Sequence, residues 1–360
     1  MVRVLHVYPE MKSAGTEMVI MNLLRNINRE RVRFDFLVMK EGESDGKLEA
    51  LGSVIHVLPK TKSYKKDLYE FFSSHPEYKI VHTHMHKEMG AVLKAAKRAG
   101  VPCRIAHSHN ARPDLPRIAR LYKMWTGWEM ESSATHFVAC SREAAGWLFP
   151  RKHRRAVVWN NAIDLDAFSF DYGTRVKTRA VLGIPEGARV IAHVGRFADQ
   201  KNHVFLLKLL NELCSRDGEV YATLVGTGPM FEEIKAQAKS ERILFLGQRS
   251  DVPDILTAAD MFLFPSNYEG LGIVAVEAQA SGLYCLASLG VPAAADVGVG
   301  LFERLSLDCD TDVWLDKVES ALTDAHIRDR AEYSRRAFAT DYNIHKIAKE
   351  AEEFYIGNSK

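Results

Sequence analysis

Apolar runs of strand length alternate with helix-period stretches along the whole chain. Val2–Tyr8, Phe34–Met39, Ser53–Leu58, Lys79–Met85 and Cys103–His109 read as strands. Gly15, Thr16 and Glu17 open a helix with Met18, Val19, Met21, Leu23 and Leu24 on its apolar side, and Gly90–Ala99 predicts another. Thr135–Cys140 and Val157–Trp159 are further strands, and Ser141 is placed to cap a helix over Arg142–Leu148. The second half repeats the order. Strands are expected at Arg189–Gly195, Val220–Val225, Ile243–Leu246 and Met261–Phe264, with helices at Val204–Cys214, Asp251–Ala259, Thr311–Ala325 and Ile344–Tyr355.

This repetition predicts an α/β protein of two doubly wound, Rossmann-like domains facing across a cleft. The expected bounds are 1–165 and 173–340, with a linker near 164–173 and a last helix, 341–360, crossing back to the first domain. A length of 360 residues already favours two cores over one. Net charge is +2, so no global electrostatic case for nucleic acid arises. The five cysteines are scattered without a CxxC pair, which points to reduced thiols in a cytoplasmic protein. No signal peptide or membrane-spanning run is visible.

Candidate chemistry concentrates where strands hand over to helices. In Phe262–Gly282 a buried strand ends at Pro265, Gly270 and Gly272 permit a tight turn, and a helix runs from Ile273 to a glycine stop at Gly282. Glu269 lies on the turn and Glu277 lies in the helix. A helix start between two such groups offers free N–H donors to an anion. Arg196 and Lys201 flank another strand-to-helix turn and suit a diphosphate, although two solvated cations fit the same pattern. Gly226, Thr227, Gly228 and Pro229 do not make a dinucleotide fingerprint, because Phe231 stands where a third glycine belongs.

Two strands deliver histidines at their carboxyl ends: His82 and His84, then His107 and His109. Hydrogen bonding to a polar ligand is preferred over a metal, since no carboxylate or cysteine completes a ligand set. Structural roles stay open for His82 and His107. Between Ala111 and Ser132, Arg117, Arg120 and Lys123 are mixed with Ile118, Leu121, Tyr122, Trp125 and Trp128. A core-packed helix with snorkelling cations is favoured over an anionic membrane contact. The cluster Arg151–Arg155 extends that patch or is a solvated face.

The motifs SAGTE, HSHN (107–110), NNAIDLDAF (160–168), VGRFADQKNH (194–203), VGTGP (225–229), LGQRSDVPDIL (246–256) and EGLGIVAVEAQASG (269–282) occur in this order. Together they resemble a family 4 retaining glycosyltransferase of the GT-B fold, and most of all the transferases of bacterial capsular and exopolysaccharide assembly. The resemblance covers nearly the whole chain. It implies a UDP-sugar donor and a saccharide acceptor, the acceptor lipid-linked, with work done at the inner face of the plasma membrane. By it, Arg196 and Lys201 hold the diphosphate, Glu277 binds the ribose, and Glu269 with Gly270, Leu271 and Gly272 holds the sugar. His109 touches the sugar from the first domain, Gly15 approaches the phosphates, and Gln248 and Arg249 lie where the base binds. It implies no metal and no cofactor, the two cations doing that work.

The chain departs from the family pattern at Ala14, at Gly272 where proline is common, and in the small apolar loop Ser288–Gly300. Two other readings are a sugar-nucleotide 2-epimerase of the same fold and a non-catalytic accessory subunit. The retained Arg196, Lys201, Glu269 and Glu277 argue against both.

Overall fold

The computed structural model describes residues 1–11, 16–85, 88–109, 127–323 and 329–359. The chain divides into two compact units, one made of 1–162 with 344–360 and the other of 163–343.

Unit 1 carries a seven-stranded sheet: β1 (Val2–Tyr8), β2 (Val32–Val38), β3 (Ile55–Val57), β4 (Ile80–Thr83), β5 (Cys103–Ser108), β6 (His136–Ala139) and β7 (Val157–Val158). The order is β3-β2-β1-β4-β5-β6-β7, with every pairing parallel. Successive residues face opposite sides of a strand. Leu5 and Val7 of β1 enter one core with Leu68, Phe72, Val92 and Leu93. Val4 and Tyr8 enter the other, with Phe34, Ile80 and the buried side of the last helix, Ile344–Gly357. That helix therefore belongs to unit 1.

Unit 2 repeats the plan with six strands: β8 (Arg189–Val194), β9 (Val220–Val225), β10 (Ile243–Gly247), β11 (Met261–Phe264), β12 (Tyr284–Ser288) and β13 (Phe302–Leu305). Their order, β10-β9-β8-β11-β12-β13, is again parallel throughout. Each sheet thus reverses its strand order once, between β1 and β4 and between β8 and β11. Such reversals open a crevice at the carboxyl ends of the strands. The α/β class and the two doubly wound sheets agree with the sequence reading.

Some elements escape that reading. β12 follows Gly282 with only Leu283 between, so no polar turn announces it. β13 is an edge strand carrying Glu303 and Arg304, and its residues are half-buried. The helix Tyr172–Leu182 begins inside the expected linker, and Asp171 caps it by accepting from the Thr174 N–H at 2.7 Å. Ser141 caps Arg142–Leu148 as expected, accepting from the Ala144 N–H at 3.1 Å. Most of the basic and aromatic stretch, 110–126, lies outside the described residues. Of its tail, 127–133 is helical and Trp128 is 61% exposed, so this ring is not core-packed.

Candidate functional site

The carboxyl ends of β8 and β11 are neighbours because these strands pair through Met261 and Phe262. Arg196 follows β8, Lys201 sits one short turn later, and Glu269 follows β11. Lys201 Nζ lies 2.7 Å from Glu269 Oε1 and 4.6 Å from the centre of the Phe264 ring. Both side chains of the pair are largely buried. Arg196 is exposed and has no hydrogen-bond or ion-pair partner among the described residues. An unengaged guanidinium beside a paired ammonium is a ready site for an anion with several oxygens.

Backbone ties fix the two turns against each other. The Asn267 N–H donates to Gln200 O at 2.8 Å, and Asn267 Nδ2 donates to Asp199 O at 2.7 Å. Gln200 Nε2 returns to Tyr268 O at 3.1 Å. A third turn joins them, where the Glu269 N–H donates to Gly290 O at 3.0 Å and Ser288 Oγ donates to Ser266 O. A Cβ on Gly290 would lie 2.3 Å from Asn267 O, so only glycine allows this approach. Gln200, Asn267 and Gly290 carry no chemical signature and were missed in the sequence. Their importance rests on which turns meet in space.

The helix Ile273–Ala280 starts from Gly272, whose φ is +82°, next to the exposed Gly270 and the buried Leu271. Glu277 is only partly exposed. Burial pushes its carboxyl up to about 7, against the opposing pull of the Lys201 charge. Gln279, wholly buried on the same helix, donates to Ala275 O and Ala295 O and accepts from the Val297 N–H. It therefore pins the loop after β12, which the sequence reading treated only as a departure. Gln248 and Arg249 are exposed beyond β10, and Arg249 forks onto Asp251 at 2.8 and 2.6 Å. Gly15 lies outside the described residues.

Unit 1 gathers five buried histidines at its own strand reversal. His6 of β1, His82 and His84 at the end of β4, and His107 and His109 at the end of β5 occupy alternate positions on one sheet face. Two chains of hydrogen bonds connect them. His6 Nδ1 meets His84 Nε2 at 3.1 Å, and His84 Nδ1 meets His109 Nε2 at 2.7 Å. Tyr355 OH meets His82 Nδ1 at 2.8 Å, and His82 Nε2 meets His107 Nδ1 at 3.1 Å. Burial is the first cause holding His82, His84 and His107 well below the usual imidazole range and taking His6 to about 3, and neighbouring rings add to it. All four are neutral at pH 7. A cavity of about 20 Å³ beside them, lined by His82, His84, His107, His109, Trp159 and Asn160 among others, has room for one water.

Two triads, His6–His82–His84 and His84–His107–His109, bring one nitrogen each within 4.8 Å of one another. They are the residues of this sheet most able to approach a metal. His107 and His109 stack at 3.9 Å with 25° between planes, and His84 has both nitrogens in hydrogen bonds. His109, expected to face a ligand, is thus also one end of a buried chain. His6 was missed because a single histidine inside an apolar strand gives no signal.

Two doubly wound parallel sheets carry, around one strand reversal, a paired lysine and glutamate, an arginine without a partner among the described residues and a second glutamate, and similarity to known proteins makes the class a glycosyltransferase of the GT-B fold. Residues 13–167 match the model of glycosyltransferase family 4, and residues 174–338 match that of glycosyl transferases group 1. The chain is 33% identical over 335 residues to the putative glycosyltransferase EpsF of Bacillus subtilis, covering 89% of this chain and 87% of that one. It is 27% identical over 224 residues to the UDP-Gal:alpha-D-GlcNAc-diphosphoundecaprenol alpha-1,3-galactosyltransferase of Escherichia coli, covering 59% and 58%. In fold it is similar to the Anabaena HepE structure in complex with UDP-glucose, with a TM-score of 0.80, 18% identity and coverage of 99% and 100%. The chain belongs to glycosyltransferase family 4.

Proposed function

We propose that this glycosyltransferase moves a hexose or N-acetylhexosamine from a UDP-sugar, with retention, to a lipid-linked precursor in capsular or exopolysaccharide assembly. The observation that carries the reading is the convergence of Arg196, Lys201, Glu269 and Glu277 on one strand reversal of unit 2. The name of the Escherichia coli relative, with its UDP-galactose donor and diphosphoundecaprenol acceptor, supports it, as does the UDP-glucose held by the Anabaena neighbour.

Arg196 and Lys201 meet the diphosphate and stabilise the negative charge that grows on it as the glycosidic bond breaks. They take the part a divalent cation plays elsewhere, so turnover persists in EDTA. Lys201 must then share its charge between Glu269 and the phosphate. Glu269, with the Gly270–Gly272 backbone, accepts from the sugar hydroxyls, and Glu277 accepts from the ribose hydroxyls once ionised. His109 meets the donor sugar, Gly15 lets the backbone approach the phosphates, and Gln248 and Arg249 meet the base. No dedicated nucleophile is needed. The acceptor attacks on the face the nucleotide leaves, and the departing phosphate takes its proton.

Acceptor chemistry of this kind calls for a peripheral membrane contact. Arg151, His153, Arg154 and Arg155 are exposed, and the Arg151 N–H donates to Glu131 Oε1 at 3.1 Å, on the short helix that presents Trp128. No helix among the described residues is long and apolar enough to cross a membrane.

The test is a panel of UDP-, GDP- and ADP-sugars read by thermal shift and then by nucleotide release with a polyprenyl-diphosphate acceptor. Stabilisation by UDP and one UDP-sugar, with UDP released only when acceptor is present, is expected. Isomerised UDP-sugar without transfer would point to the epimerase instead, and no shift with any nucleotide to an accessory subunit. Flotation with anionic liposomes, lost when Arg151, Arg154 and Arg155 are neutralised, tests the membrane contact.

A further inference from the structure

We infer that Glu269 sets the preference of the site for an intact nucleotide sugar over the spent nucleotide, by holding the Lys201 ammonium until a sugar draws its carboxylate away. The inference rests on the reading above, in which Lys201 meets the diphosphate and Glu269 meets the sugar.

Lys201 Nζ lies 2.7 Å from Glu269 Oε1, and the two side chains are only 14% and 7% exposed. Oε1 has no aligned hydrogen bond among the described residues, so the contact is held by charge. The other oxygen, Oε2, meets Gln200 Nε2 at 3.4 Å, longer than an ordinary hydrogen bond. A carboxylate this buried needs a counter-charge, yet few donors fix its direction.

The lysine keeps its place without the glutamate. Its Nζ lies 4.6 Å from the centre of the Phe264 ring, within cation–π range. Its Cδ and Cε lie 3.1 and 3.2 Å from where a Cβ on Gly195 would stand, so the stem packs against the residue that follows β8. The backbone of the glutamate is also fixed, its N–H donating to Gly290 O at 3.0 Å. Only the Glu269 side chain has to turn for the pair to open.

A phosphate that approaches Lys201 meets a carboxylate of its own sign on the same cation. Like charges at this separation repel, and burial leaves little water to screen them. A spent nucleotide brings no donor to Glu269 in return. A glycosyl group brings several hydroxyls, each able to donate to a carboxylate. Glu269 then exchanges an ion pair for charge-assisted hydrogen bonds, and Lys201 is released to the phosphates. The sugar and diphosphate halves of the donor thus bind with positive coupling. After transfer the sugar is gone, the carboxylate returns to Lys201, and the affinity for the nucleotide falls.

The experiment is isothermal titration calorimetry on the full-length protein at fixed pH. UDP is compared with UDP-glucose, UDP-galactose and their N-acetylated forms, on wild type and on Glu269→Gln. Wild type is expected to bind one UDP-sugar at least about tenfold more tightly than UDP, a coupling of about 1.4 kcal/mol. Glu269→Gln should bind UDP more tightly than wild type does and that UDP-sugar more weakly, so the preference collapses. Opposite signs for the two ligands separate this role from a structural one, since a distorted site weakens both. Wild type that binds UDP as tightly as every UDP-sugar, or more tightly, overturns the inference even if the variant fails to fold. Unchanged or weaker UDP binding in a folded variant overturns it as well. Binding of no nucleotide at all by wild type removes the reading of the site itself, and the inference with it.

Discussion

Lys201 and Glu269 meet at 2.7 Å across the point where the strand order of unit 2 reverses. Their contact joins a turn after β8 to a turn after β11, and the exposed Arg196 stands at the start of the first turn. The two cations should therefore respond differently to removal. Arg196→Ala and Lys201→Ala should each raise the reaction barrier by about 2–4 kcal/mol, measured as kcat with saturating donor. Arg196→Ala should leave the melting temperature unchanged, since its side chain has no partner to lose among the described residues. Lys201→Ala should lower it, because a largely buried carboxylate loses its counter-ion. Full turnover in either variant would remove the leaving-group role.

Glu277 gives a pH signature. Its folded carboxyl is pushed up to about 7 from an ordinary 4.5, mainly by burial. A raised value means the folded protein binds the proton more tightly. This contribution is complete below pH 4.5 and is lost as pH rises through about 7. The ligand-free wild type should therefore lose stability relative to Glu277→Gln across that window, by at most about 3 kcal/mol. Chemical denaturation at pH 5 and pH 8 measures the difference, and parallel curves for both proteins would contradict it.

The buried histidines act in the opposite sense. Four rings, His6, His82, His84 and His107, have folded values held below the ordinary 6.5. Depressed values mean that stability is complete above pH 6.5 and falls as pH drops toward the folded values. Each ring that stays neutral in the fold costs about 1.4 kcal/mol per pH unit below that point. Unit 1 should lose its tertiary structure steeply between pH 6 and about 4, with uptake of several protons, in near-ultraviolet dichroism and potentiometric titration. Replacing His82 and Tyr355 together by phenylalanine should flatten the slope.

Among the described glycines, Gly226 has the closest backbone approach. Its φ is +132°, and a Cβ there would stand 2.0 Å from Gly195 O. Gly226→Ala should destabilise unit 2 by roughly 1–3 kcal/mol through backbone strain alone. It should also displace the turn carrying Arg196, raising KM for the nucleotide sugar more than an equally destabilising change elsewhere. Unaltered kinetics in a folded variant would show that the two turns move independently.

Much of the site could be read in the sequence because strand ends, glycine turns and helix starts have local signatures. Arg196, Lys201, Glu269 and Glu277 each sit at such a junction. Their pairing is not local: Lys201 meets Glu269 only because β8 and β11 are adjacent in space. The histidines were half legible. An HxH pattern in a strand puts both rings on one face, but His6 had no such partner, and Tyr355 reaches His82 across 273 residues of chain. β12 and β13 were overlooked because one has no turn before it and the other keeps polar residues at a sheet edge.

The route of the chain has a consequence for its synthesis. Unit 1 begins at Met1 but needs Ile344, Ile347, Ala348, Ala351 and Tyr355 to cover one face of its sheet. These residues follow the whole of unit 2 along the chain. Unit 2 is contiguous, so all of its sequence is available while unit 1 still waits with an apolar face and an unfinished histidine chain. Unit 1 is begun before unit 2 and covered after it, and a chain cut short before Ile344 keeps Arg196, Lys201, Glu269 and Glu277 but leaves unit 1 without its cover.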